Sequence, residues 1–360
     1  MSTCLVTGGA GFIGTNFVRL ASEVVDGQIL ILDLLTYAGN YMSIEPLIDG
    51  QRVHFVKGSI CDESLICTLF EEYDITSIVN FAAESHVDRS IENPSEFVDT
   101  NVGGTLTLLR VAAEEWKGKY SDRVFVHVST DEVYGDLTPD DAPMNESSPY
   151  RPSSPYSASK AASDHLCRAW SVTYDFPVIV TNCSNNYGPY QFPEKLVPLM
   201  IKQATEEAPL PVYGDGMQIR DWLHVEDHCR ALLSVLLHGR QGETYCIGGD
   251  NERTNLDVVS LICDAVDDCL DRPMGSSRTL ITSVRDRPGH DRRYSIDSRK
   301  IQDELGWRPK REFSTGIVNT VKWYLDNQRW LEEITSGTYQ NYFERQYGAA
   351  ISPYSTESMP

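Results

Sequence analysis

The octapeptide Thr7-Gly8-Gly9-Ala10-Gly11-Phe12-Ile13-Gly14 constrains the fold most, because it joins an apolar run, residues 4–7, to a helical pattern. Its glycines at 8, 11 and 14 permit a tight turn and let a pyrophosphate approach the backbone N–H groups of a helix N-terminus. Apolar, β-branched runs then alternate with helical patterns at 29–32, 53–56, 78–80, 124–128 and 178–182. Six such strands with intervening helices predict an α/β, doubly wound parallel sheet of the dinucleotide-binding Rossmann kind. Asp33 closes the second strand, where a carboxylate accepts hydrogen bonds from the adenosine ribose hydroxyls and repels a 2′-phosphate. NAD is therefore expected rather than NADP.

The chain has 360 residues, more than the roughly 250–300 at which a single core stops growing, so two lobes are expected. After Cys183 the alternation weakens, and Pro and Gly become frequent at Tyr187-Gly188-Pro189, Pro209-Leu210-Pro211 and Tyr213-Gly214-Asp215-Gly216. The expected division is an NAD-binding domain over 1–183, rejoined by parts of 218–248, and a smaller mixed substrate lobe over 184–335 with a helix near 316–328. A polar, aromatic tail follows over 336–360. No apolar run reaches the ~20 residues of a membrane span, and Met1-Ser2-Thr3-Cys4-Leu5-Val6-Thr7 lacks the regions of a secretion signal, which predicts a cytoplasmic protein without a membrane partner. Nine scattered cysteines without CxxC spacing read as reduced thiols, with neither a disulfide framework nor a metal site. With 31 Lys+Arg against 52 Asp+Glu the net charge of -21 repels polyanions, so no nucleic-acid partner is expected. A small phosphorylated ligand would need a local cluster of cations or helix N-termini.

Chemistry concentrates in two segments. Ser129-Thr130-Asp131-Glu132-Val133-Tyr134-Gly135 sets a hydroxyl, an acid and a base side by side after an apolar run. Tyr156-Ser157-Ala158-Ser159-Lys160 puts a phenol and an ammonium on one face of a helix, whose start Ser154 and Pro155 suit. Lys160 and a positive nicotinamide ring would stabilise a Tyr156 phenolate and make it a usable base. Each motif alone has a bland reading, as a Gly-rich turn, a solvated acidic pair or an amphipathic surface pair. Their coincidence on one nucleotide fold points to several proton transfers in one pocket.

Further segments are Asp33-Leu34-Leu35-Thr36-Tyr37-Ala38-Gly39-Asn40, Asn80-Phe81-Ala82-Ala83-Glu84-Ser85-His86-Val87-Asp88, Asn185-Asn186-Tyr187-Gly188-Pro189-Tyr190-Gln191-Phe192-Pro193-Glu194-Lys195-Leu196, Arg220-Asp221-Trp222 and Asp286-Arg287-Pro288-Gly289-His290-Asp291. With the motifs above, they make the chain resemble the extended short-chain dehydrogenase/reductases and, among these, the dTDP-glucose 4,6-dehydratase family, from Thr7 to about Tyr347. The resemblance implies a lyase of deoxysugar biosynthesis that converts a nucleoside-diphosphate glucose to its 4-keto-6-deoxy sugar. Tyr156 would take the C4 hydroxyl proton as NAD takes the C4 hydride, with Thr130 on the C4 oxygen and Lys160 on the nicotinamide ribose. The ketone acidifies C5. Glu132 would be the base there, a protonated Asp131 the acid that expels the C6 hydroxyl as water, and hydride returns to C6. Two neighbouring carboxyls in a partly dry site tend to keep one protonated, but which one rests on the resemblance.

The same resemblance implies a cofactor set of Gly8, Gly11, Phe12, Ile13, Gly14, Asp33, Leu34, Thr36, Ser59, Ile60, Ala82, Ala83, Tyr156, Lys160 and Asn186. It implies a substrate set of Ser85, Thr130, Asn185, Lys195, Leu196, Pro211, Tyr213, Arg220, Asn255, Arg287, His290 and Tyr347. Arg220 and Arg287 would meet the diphosphate, and Pro211 and Tyr213 the base. Ser59 departs from the family, where an aspartate commonly bonds the adenine amino group, so weaker adenine recognition is expected. The adjacent Asp131 and Glu132 set the chain apart from the C4 epimerases that resemble it at the hydroxyl, Tyr and Lys positions. The alternatives are the same reaction on UDP-glucose, since thymine and uracil differ by one methyl, a sugar-nucleotide C4 epimerase, and a non-catalytic NAD-binding regulator. Relatives are mostly homodimers that pair two long helices per subunit, here over 94–116 and 155–174.

Overall fold

Strand residues divide alternately between two apolar layers, and this division builds the central sheet. Leu30 and Leu32 join one buried cluster and Ile29 and Ile31 the other; Ile78 and Val79, like Phe125 and Val126, split the same way. A strand apolar on both faces must be covered twice, so helices lie on both sides of it.

The computed structural model of the chain describes residues 2–335. Its strands are β1 (Thr3–Thr7), β2 (Gln28–Asp33), β3 (Val53–Lys57), β4 (Ile75–Asn80), β5 (Val124–Thr130), β6 (Val178–Cys183), β7 (Asn185–Tyr187), β8 (Leu210–Tyr213), β9 (Ile219–His224), β10 (Thr244–Ile247), β11 (Glu252–Thr254) and β12 (Ile281–Val284). The main sheet has the order β10-β6-β5-β4-β1-β2-β3 with every neighbour parallel. The six strands expected from sequence are all present. The seventh, β10, is a short segment that pairs with β6 only after the chain has left the sheet and returned. Strand order reverses between β1 and β4, and the carboxyl ends of the strands there frame the crevice in which such sheets bind ligands.

Helices Phe12–Val24 and Val225–His238 cover one face through Phe17, Val18 and Leu232. The other face packs on Leu108, Leu109 and Cys167, with Trp116 stacked on Phe176 at 5.6 Å. A third cluster, including Met200, Ile262 and Val321, joins helices Leu196–Thr205, Asn255–Cys269 and Phe313–Asp326 beside two small sheets, β11-β9-β7 and β12-β8. The last of these helices starts earlier than the 316 read from sequence because the Glu312 carboxylate accepts the N–H groups of Ser314 and Thr315 at its first turn. Among the described residues no helix is long and apolar enough to cross a membrane, and the nine cysteines are unpaired.

Both long helices form over the expected spans, one of them with a change of pitch inside it. Pro155–Tyr174 is continuous, capped by reciprocal Ser154 and Ser157 bonds with Pro155 in its first turn. The span from 94 is helical without a break through Pro94–Phe97, a π-helical stretch Val98–Gly104, and Thr105–Glu115. The widened turn carries Asn101 inward, where its Oδ1 accepts from Glu84 N at 2.8 Å and its Nδ2 donates to Glu84 O at 3.0 Å and Ser159 Oγ at 2.8 Å. Helix regularity is exchanged for satisfaction of a buried loop backbone. Asn101→Ala strips both Glu84 peptide groups of their partner, so chemical denaturation should show a loss of about 2–4 kcal/mol. Unchanged stability would mean that the π turn does not hold this loop.

Candidate active site

The carboxyl ends of β1, β2, β4, β5 and β6 open into one cavity of about 320 Å³. Its floor at β1 is usable only without side chains. Gly8 has φ +67°, and a Cβ there would stand 2.6 Å from Ala82 N; a Cβ on Gly14 would stand 2.2 Å from Gly8 O. At the end of β2, Asp33 Oδ2 accepts from Ala10 N at 2.9 Å and Oδ1 from Leu35 N at 2.8 Å. Burial raises the Asp33 pKa, and these two bonds oppose the rise. Each carboxylate oxygen can accept a further bond, so the loop fixes the acid without exhausting it. A cradle that only glycine keeps open, followed by a buried carboxylate, fits the pyrophosphate and adenosine ribose of NAD. Every residue of the expected cofactor set lines this cavity. Ser59 Oγ already accepts from Cys61 N at 3.1 Å, which leaves it less to offer an adenine.

At the other end β5 terminates in Thr130, and Asp131 and Glu132 follow in a short 3-10 turn. Thr130 Oγ1 accepts from Glu132 N at 3.2 Å and donates to Asp131 Oδ1 at 3.3 Å. Asp131 Oδ2, buried at the cavity wall, has no hydrogen-bond partner among the described residues. Burial raises the Asp131 pKa well above the usual carboxylate range, and the charges of Glu132 and Asp221 add to the rise against Arg220. Glu132 is also raised by burial, but Arg287, Lys195 and Arg220 all oppose the rise, with Asp291 on the other side. Two adjacent carboxyls therefore sit in opposite fields, one among anions and one among cations.

Tyr156 and Lys160 project from the first turns of Pro155–Tyr174 into the same cavity. Burial lifts the Tyr156 phenol well above its ordinary value and Glu132 lifts it further, while a hydrogen bond to Thr130 opposes them. Lys160 Nζ donates to Val128 O at 2.9 Å, and burial lowers its pKa against the charge of Asp164. The expectation that Lys160 brings the phenol into range is thus met only by the spacing. The ammonium is bonded to a strand carbonyl, and dryness dominates the phenol.

Of the expected substrate residues, Ser85, Thr130, Asn185 and Lys195 line the cavity, Lys195 Nζ donating to Ser85 O at 2.8 Å. Leu196, Pro211, Tyr213, Arg220, Asn255, Arg287 and His290 do not line it. Three of these gather near Asp88: Tyr213 donates to its Oδ2 at 3.3 Å, Arg287 to its Oδ1 at 3.5 Å, and His290 lies edge-on to Tyr213 at 6.0 Å. Arg220 is buried, stacked on Tyr294, and donates to the carbonyls of Ile219 and Asp291. Leu196 and Asn255 open helices, and Pro211 lies within β8. Tyr347 lies outside the described residues. Sequence reading missed Cys183, which ends β6 at the cavity, and Glu84, which lines both this cavity and a smaller polar one beside Tyr37 and Arg89. Burial beside Glu96 and Glu194 pushes Glu84 up to about 7. Asp164 was also missed; one turn beyond Lys160, it accepts from Ser129, Tyr150 and Asn182. Its spacing after Tyr156 and Lys160 on one helix face was a usable signal.

A family model described as GDP-mannose 4,6 dehydratase matches residues 5–320. The chain is 54% identical over 348 residues to a dTDP-glucose 4,6-dehydratase of Xanthomonas campestris, covering 94% of this chain and 98% of that protein. It is 52% identical over 355 residues to one of Salmonella typhimurium, covering 95% and 98%. The crystal structure of a dTDP-glucose 4,6-dehydratase from Bacillus anthracis in complex with NAD superposes with TM-score 0.82 at 45% identity, covering 93% of this chain and 100% of that one. The Ser59 site yields a test by calorimetry: Ser59→Asp should bind NAD about 3–10-fold more tightly, whereas equal or weaker binding would refute its role in adenine recognition.

Proposed function

The chain belongs to the dTDP-glucose 4,6-dehydratase family, and from that premise we propose that it converts dTDP-glucose to the 4-keto-6-deoxy sugar. The observation that carries the division of labour is the opposite surroundings of Asp131 and Glu132. NAD, held along the glycine turn and Asp33, supplies the hydride acceptor for C4 and the hydride donor for C6. Tyr156 takes the proton of the C4 hydroxyl, and Thr130 bonds the oxygen as it becomes a carbonyl. Lys160, one helical turn on, contributes positive charge to the phenol. Glu132, kept chargeable by Arg287, Lys195 and Arg220, takes the C5 proton. Asp131, kept neutral by burial and by Glu132 and Asp221, protonates the C6 oxygen so that water leaves.

Arg287, Tyr213 and His290, drawn together near Asp88, form the wall toward which the nucleotide diphosphate extends. The NAD-binding unit comprises residues 1–183 with parts of 218–248, and the substrate lobe the remainder to 335. Two copies pair through Pro155–Tyr174 and the helical span that begins at Pro94, where Val98, Val172 and Tyr174 expose apolar surface; sedimentation as a monomer would sink this pairing. A cytoplasmic setting accords with nine unpaired thiols.

The activity is tested by incubating the protein separately with dTDP-glucose and UDP-glucose and following loss of one water by mass spectrometry. Loss from dTDP-glucose alone is expected, and loss from UDP-glucose alone would move the assignment to that nucleotide. Asp131→Asn should slow water loss by about 10²–10⁴-fold while C4 oxidation stays measurable; unchanged turnover would refute the acid role. The pH dependence follows from the signs. Glu132 must be charged, so activity falls as pH drops through its raised value; Asp131 must be protonated, so activity falls as pH rises through its own. A bell-shaped profile whose alkaline limb disappears in Asp131→Asn is expected from kcat/KM, and an alkaline limb that persists would contradict the assignment.

A further inference from the structure

Proton accounting for the proposed reaction leaves one displacement unresolved. The C4 hydride ends on C6, and the proton that Glu132 takes from C5 returns there when that hydride arrives. The C4 hydroxyl proton, however, remains on Tyr156, while the proton that leaves in water came from Asp131. Each turnover therefore ends with a neutral Tyr156 and a charged Asp131, the reverse of the state in which it began. A single proton moved from Tyr156 to Asp131 restores both groups, with no other reactant.

Thr130 stands between them. A threonine hydroxyl has one proton to give and two lone pairs. Here it accepts from Glu132 N at 3.2 Å, donates to Asp131 Oδ1 at 3.3 Å, and lines the same cavity as the Tyr156 phenol, close enough to oppose the rise in that phenol's pKa. We propose that Thr130 is a proton relay that resets the site, taking the Tyr156 proton as it passes its own to Asp131. In this step the Tyr156 O–H and Thr130 O–H bonds break, new O–H bonds form on Thr130 and Asp131, and negative charge moves from the carboxylate to the phenolate. The inference rests on the proposed reaction and extends it to the step after product forms.

Among the described residues, several other polar neighbours are already engaged. Lys160 Nζ is held by Val128 O, Cys183 Sγ donates to Ser129 O at 3.4 Å, and Arg220 is held by backbone carbonyls. Asp221 accepts from Gly249 N and Asn251 N and faces Asp131 as a like charge. Asp131 is only 4% exposed, which keeps bulk water from serving it directly.

Rapid-quench assays on the NAD-loaded enzyme with excess dTDP-glucose test the relay, with the dehydrated sugar counted by mass spectrometry. Wild type and Thr130→Ser should make product without a burst. Thr130→Val begins with Asp131 protonated by the buffer, so it should release one equivalent per site and then slow on the order of tenfold or more. That slow phase should accelerate with imidazole, a diffusible proton carrier. Thr130→Ala, read the same way, carries the test if the valine variant does not fold. Equal slowing of the first and later turnovers would overturn the relay and leave Thr130 only its bond to the C4 oxygen; a slow phase indifferent to imidazole would also overturn it. Absence of water loss from wild type would instead overturn the activity, and the relay with it.

Discussion

Taking Asp131, Glu132, Tyr156 and Lys160 out of water at the end of β5 costs free energy, and the surrounding structure is organised around that cost. Desolvation alone drives every one of them toward its neutral form: the carboxyls and the phenol rise, and the ammonium falls. Four neutral groups would do little acid–base chemistry. Fixed charges set against the dryness separate them. Asp164, anchored by Ser129, Tyr150 and Asn182, holds negative charge near Lys160, while Arg287, Lys195 and Arg220 hold positive charge near Glu132. Asp131, with anions beside it, is raised well above the usual carboxylate range.

These charges come from different parts of the fold. Asp164 belongs to the helix packed on the main sheet, whereas Lys195, Arg220 and Arg287 come from segments beyond β6. Lys195 is fastened to the loop after β4 through Ser85, and Arg287 to the helix Val87–Glu92 through Asp88. Contacts that tie elements of the main sheet to the segments beyond β6 thereby also oppose the rise in the Glu132 pKa. Packing and catalysis are coupled through a few charge-assisted bonds in a weakly screened site.

Local chemistry made much of this legible in sequence. The two-residue alternation in β2, β4 and β5 gives the layered sheet, the glycines at 8 and 14 give the turn, and Ser154 with Pro155 gives the helix that carries Tyr156 and Lys160. What stayed hidden depends on distant partners. Strand β10 is too short to announce itself and is defined by its pairing with β6. The π turn over Val98–Gly104 exists because Asn101 must reach Glu84, a residue in another loop. The raised Glu84, the Lys160 bond to Val128 O and the contrasting fields around two consecutive carboxyls are likewise three-dimensional facts. Residue spacing suggested that one of Asp131 and Glu132 would keep a proton; the arrangement of Asp221, Arg220, Lys195 and Arg287, which sets their surroundings apart, is visible only in three dimensions.

That choice can be observed directly. Infrared difference spectra of the NAD-loaded protein at neutral pH, recorded for wild type, Asp131→Asn and Glu132→Gln, report protonated carboxyl groups individually. A protonated carboxyl band that is lost in Asp131→Asn and kept in Glu132→Gln is the predicted result. A band lost in Glu132→Gln and kept in Asp131→Asn would show that the proton resides on the other acid and would contradict the account.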